Sequence, residues 1–184
     1  IGQMGCTGWA GSRNVERSHL HLELNLMIHD QFPRWHDQRF ADPNHHGDFN
    51  GLNLIGLDIA DLYLRLRENP NLTIPEFVAE MQPYFRVAFP KNGGDMQLLK
   101  RYPWLWKGPK GGNVPSFEIT LSRSSIPLAI EASTKKVVGP TVTWVEDSSL
   151  LHAYATMGRL NGIGKRATLS DSGKSFLNLL TGRF

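Results

Sequence analysis

Two histidines stand one residue apart at His19 and His21, within the run Ser18-His19-Leu20-His21-Leu22-Glu23. On a strand, residues i and i+2 point to the same face with Cα atoms about 6.6 Å apart. At that separation one imidazole can ligate a metal while its neighbour reaches a metal-bound water or a substrate. Neutral imidazole is a common zinc ligand, and zinc lowers the pKa of its bound water to about 7. The chemistry open to such a pair is metal-assisted hydrolysis. Zinc polarises a carbonyl, and the second histidine stabilises the oxyanion or shuttles a proton. An isolated H-x-H is more often a solvated pair on a strand, so its context decides.

The element expected to carry the pair is a strand. Residues 19–26 alternate polar and apolar, which predicts one face built from Leu20, Leu22, Leu24 and Leu26 and another from His19, His21, Glu23 and Asn25. Before it, glycines at positions 2, 5, 8 and 11 suit a short strand running into tight turns.

These blocks occur in a specific order. Ile1-Gly2-x-x-Gly5-x-Thr7-Gly8, followed by His19-Leu20-His21-Leu22-Glu23, resembles the lysostaphin/LytM family of zinc endopeptidases, in which an I-G-x-x-G-x-T-G block leads to an H-L-H-[FL]-E strand. The resemblance spans about the first 28 residues, with Asp42-Pro43 as a further point of similarity. It implies that His21 is a zinc ligand and that His19 is the catalytic histidine beside the metal. It also implies that the other two ligands come from an upstream H-x-x-x-D block absent from these residues. The expected substrate is a peptide cross-link of peptidoglycan, and the expected location is extracytoplasmic. Arg17-Ser18 stand where the family usually has Gly-Pro, and the loop 9–18 is longer and more charged than the family version. Metallo-β-lactamase-like enzymes continue H-x-H with x-D-H, whereas Glu23-Leu24 follow here. Amidohydrolases lack the glycine-threonine block. A relative that keeps the fold but only binds cell wall or protein is the alternative.

The remaining chain predicts an α+β architecture: a partial antiparallel sheet of a metallopeptidase domain in 1–50, then a mixed helix and short-strand extension in 51–184. Residues 31–51 read as a long polar excursion. Ile55, Ile59, Leu62 and Leu66 predict an amphipathic helix over 52–67. Thr73, with Pro75 and Glu76 behind it, predicts a capped second helix. Strands are expected at 84–89, 117–121, 127–132 and 141–145, with an irregular segment at 91–112. A helix is expected over 150–158 and a final one after Ser170, with Phe176, Leu177 and Leu180 on its apolar side.

Other chemistry-bearing residues read more plainly. His29, His36, His45 and His46, with Asp42, Asn44 and Asp48, match no specific metal spacing and read as a solvated loop. The place of Glu23 in the family strand implies an orienting or structural role rather than that of a general base, and Cys6 reads as a packed small residue. Trp104, Trp106, Lys107 and Lys110 have the composition of a glycan or nucleic-acid surface, but core tryptophans beside a turn at 108–112 are the expectation. A net charge of +3 and a pI near 9.1 are mild, and no nucleic-acid partner is expected. With Cys6 as the single cysteine no internal disulfide forms. No run of about 18 apolar residues exists, so no transmembrane helix is expected.

Overall fold

The computed structural model describes residues 22–91, 96–108 and 113–183. The chain enters as strand β1 (Asn25–Met27), turns through helix α1 (Phe32–Asp37) and returns as β2 (Leu54–Gly56). Helices α2 (Ile59–Glu68) and α3 (Ile74–Ala79) follow, then β3 (Pro83–Pro90) and the short α4 (Gln97–Arg101). Three strands come next: β4 (Ser116–Ser122), β5 (Pro127–Ser133) and β6 (Thr141–Val145). The chain closes with α5 (His152–Ala155), the hairpin β7 (Leu160–Ile163) and β8 (Arg166–Leu169), and α6 (Asp171–Leu180). The fold is α+β, and its strands pair antiparallel in sheets of two, four and two.

The four-stranded sheet, in the order β5-β4-β3-β6, is the scaffold. Phe85, Val87 and Phe89 on β3, Ile119 and Leu121 on β4, and Leu128 and Ile130 on β5 recur every second residue and are buried on one face. They share one core with Leu26, Phe32, Ile55, Phe77, Leu105 and Leu177, so residues on both sides of position 50 pack together. The boundary expected there lies between β1 and its partner β2, which pair through Leu26 and Ile55.

The opposite face is polar. Glu118 accepts hydrogen bonds from Lys135 Nζ (2.8 Å) and Thr143 Oγ1 (2.7 Å), with its side chain only 13% exposed. Burial alone raises its pKa, but these two donors and the charges of Lys135 and Arg86 outweigh it and hold the carboxyl below its usual value. A depressed carboxylate contributes stability that is present above the unfolded pKa and lost as pH falls through the folded one. Glu118→Gln is therefore expected to cost about 1 kcal/mol near pH 7 and nothing by roughly pH 2. Urea unfolding of both proteins at the two pH values checks this; an equal cost at both would remove the charge from the account.

Several elements follow the sequence reading. The capping box forms, with Thr73 N donating to Glu76 Oε2 (2.8 Å) and Glu76 N to Thr73 Oγ1 (3.4 Å). Strands β3 to β6 cover the segments expected at 84–89, 117–121, 127–132 and 141–145. Ser170 caps α6 by accepting from Gly173 N (3.0 Å), and Phe176, Leu177 and Leu180 are buried.

Others differ. Over 22–26 the expected strand is shorter: β1 begins at Asn25, and Leu22 and Leu24 are exposed while Leu26 and Ile28 are buried. Its partner explains this. The ladder ends where Leu57 N donates to Leu24 O (2.9 Å), because Asp58 then caps α2 and takes the chain away. For the same reason the helix expected from 52 starts at Ile59, and Ile55 is a buried strand residue instead. Asn53, fully buried, fixes this pairing with its side-chain amide: Oδ1 accepts from His29 N, and Nδ2 donates to His29 O and Asp48 O, each at 2.9 Å. Within 31–51 the polar excursion contains α1, whose Phe32, Trp35 and His36 are buried. The helix expected over 150–158 spans only His152–Ala155, since Met157 (φ 54°) and Gly158 (φ 74°) turn left-handed behind it.

Candidate functional site

His19 and His21 lie outside the described residues, as do Cys6 and the glycine-threonine block. The segment directly after the pair is described. Strand β1 is held on both sides: Ile28 N donates to Asn53 O (2.9 Å), and Met27 N donates to the Tyr102 hydroxyl (2.9 Å). Leu26 and Ile28 sink into the core beneath it. The segment four residues after His21 is thus fixed to the scaffold by hydrogen bonds and by burial. Glu23, exposed, accepts from Asn25 Nδ2 at 3.2 Å, which leaves it beside the start of β1.

The other histidines separate into distinct environments. His45 and His46 are exposed, and Asn44 organises their loop by donating from Nδ2 to Gly47 O (2.9 Å) and accepting at Oδ1 from His46 N (3.2 Å). Asp42 is exposed in the same loop. His36 is buried against the rings of Phe40 (4.8 Å) and Phe32 (5.7 Å), a packing role. His29 is buried, and its Nδ1 accepts from Gln31 N (3.0 Å). Among the described residues no three His, Cys, Asp or Glu side chains form a group that could hold a metal ion.

His152 was not singled out by the sequence. It is fully buried, and its Nε2 lies 2.8 Å from Gly164 O while its Nδ1 lies 3.1 Å from the Tyr84 hydroxyl. A carbonyl only accepts, so Nε2 carries the proton and the tyrosine donates to Nδ1. Both ring nitrogens are satisfied, and the imidazole ties β3 to the turn of the last hairpin. Nothing in its local sequence, Leu150-Leu151-His152-Ala153, distinguishes this role from a surface position.

The tryptophans pack as expected. Trp104 lies beside Tyr102 (6.0 Å between centroids) and Trp106 meets Phe117 edge-on (5.7 Å), both against the core. Lys107 is exposed next to them, and Lys110 lies outside the described residues.

A feature the sequence did not reveal gathers at the β4–β5 turn. Ser125 (φ 65°) and Met157 (φ 54°) are the described non-glycine residues with left-handed backbone, and both line one cavity with Arg159. The three-residue turn asks for glycine at position 125. A serine there costs about 1 kcal/mol of backbone strain, and its buried hydroxyl has no hydrogen-bond partner.

No helix among the described residues is long and apolar enough to cross a membrane. No protein-family model matches the chain, and no curated protein or solved structure matches it either.

Proposed function

We propose that this chain carries the C-terminal part of a zinc-dependent endopeptidase domain acting on peptide cross-links of peptidoglycan, outside the cytoplasm. The observation that carries the reading is the ordered pair of blocks, Ile1-Gly2-x-x-Gly5-x-Thr7-Gly8 and then His19-Leu20-His21-Leu22-Glu23. In this reading His21 ligates zinc through a ring nitrogen, and two further ligands come from the H-x-x-x-D block upstream. In the same reading His19 is the histidine beside the metal, which would hold or pass a proton at the reacting carbonyl. When bound, zinc supplies Lewis acidity toward that carbonyl and an acidified water. Support from the fold is indirect: a strand pinned by β2, Tyr102 and the core gives the two histidines a rigid neighbour, and sites built on rigid elements keep their geometry.

Release of free amines from purified cell-wall sacculi tests it, using the polypeptide with its upstream region. The wild type is expected to release amines, and His19→Ala is expected to lose roughly 10²–10⁴-fold in rate while keeping its metal. His21→Ala is expected to lose both. A wild type that binds sacculi yet releases no amines would replace the enzyme with a wall-binding relative.

A further inference from the structure

Arg159 stands between two adjoining cavities, of about 140 Å³ and 200 Å³, which share Leu52 and Phe176 as walls. Its guanidinium lies over the Phe176 ring at 4.5 Å, and its Nη1 donates to Ser172 O (3.1 Å) and Oγ (2.7 Å). No carboxylate among the described residues pairs with it, and its Nε is buried with no hydrogen-bond partner. Burial holds its pKa below the usual arginine value, yet a guanidinium remains charged at any physiological pH. In the smaller cavity, Ser125 is 3% exposed and its Oγ likewise has no partner. The rest of that wall is largely apolar, with Ile28 and Ile55.

A half-buried guanidinium with no carboxylate partner among the described residues and an unpartnered Nε, an unpartnered buried hydroxyl and a left-handed serine where the turn accepts glycine all line one cavity. Buried polar groups in native proteins are nearly always satisfied, and strained residues held by their surroundings cluster at binding sites. We infer that this cavity binds a small apolar carboxylate, its oxygens taken by the Arg159 guanidinium and the Ser125 hydroxyl and its hydrocarbon by Ile28, Ile55 and Phe176. An anion is required because, among the described residues lining the two cavities, the charged side chain is that of Arg159. The carboxylate is preferred over a phosphate because one guanidinium and one hydroxyl match two oxygens, and because the walls are hydrocarbon. The size of the cavities suits a chain of about eight carbons or the last apolar residue of a peptide. The inference stands apart from the peptidase reading, since it uses neither His19 nor His21.

Calorimetric titration of the full chain with octanoate tests it, with octanol and octylamine as controls. Octanoate is expected to bind, and both controls at least 10-fold more weakly. Ser125→Gly removes the hydroxyl and relieves the left-handed backbone, so the variant folds; it is expected to lose at least 5-fold in affinity. Arg159→Gln is expected to lose at least 30-fold. An N-acetylated dipeptide ending in leucine, compared with its C-terminal amide, separates a peptide carboxylate from a free acid as the source. Binding of octanol as tightly as octanoate would overturn the inference, as would no binding of any carboxylate or unchanged affinity in Ser125→Gly.

Discussion

Gly173→Ala is expected to destabilise the protein by about 3 kcal/mol, although the substitution lies inside a helix. Helix propensity alone gives the opposite sign, since alanine is favoured over glycine by about 1 kcal/mol in a helix interior. Packing reverses it. A Cβ at Gly173 would sit 2.2 Å from the carbonyl oxygen of Arg159 and 3.1 Å from its carbon. Those are backbone atoms, already fixed because Arg159 O accepts from Ser170 N (3.0 Å) and Ser170 Oγ (3.1 Å). The helix must move away from the hairpin, which loosens Leu160, Leu169 and Phe176, and Arg159 moves with it. Urea unfolding should show a lower midpoint with an unchanged slope. Lys174→Ala, exposed in the same turn, is the control, expected within about 0.5 kcal/mol of wild type. Greater stability in Gly173→Ala would mean that α6 does not approach the Arg159 backbone so closely.

The second large effect is expected at Phe32. This side chain is fully buried, 5.4 Å from the Trp35 ring and 5.7 Å from His36 between centroids. Phe32→Ala removes the contact that fastens α1 to the core, and such truncations cost about 3–5 kcal/mol. For a chain of this size that corresponds to roughly 10 °C in Tm. A thermal melt distinguishes the two descriptions of residues 31–51. A loss near 4 kcal/mol makes the segment part of the fold, and a loss below about 1 kcal/mol makes it the surface excursion that its composition suggests.

How much was legible turns on where the determinants sit. The capping box at Thr73 and Glu76, the short strand segments of β3 to β6 and the start of α6 after Ser170 are local signals, and each appears where the residues place it. Helix α1 was hidden because six residues carry barely one apolar stripe, here Phe32, Trp35 and His36, within a segment rich in Pro, Asn and His. The β7–β8 hairpin was hidden by strands of four residues each and by glycines inside it. Gly162 sits at φ 105°, and a side chain there would meet the Arg166 carbonyl. The early end of the 19–26 pattern was set at a distance, by the Asp58 cap that removes the partner strand. The Arg159 and Ser125 cavity is wholly tertiary: residues 28, 55, 125, 159 and 176 share no local pattern. The histidine pair is the reverse case, a proposed site that rests on a sequence motif alone.

Elemental analysis of zinc in the polypeptide with its upstream region, wild type against His21→Ala, tests the peptidase reading most directly. About one zinc per chain in the wild type, lost on substitution of His21, is the predicted result, since a catalytic zinc is held by about three protein ligands and His21 is one of them in this reading. A folded wild type that takes up no zinc when it is supplied would contradict the reading.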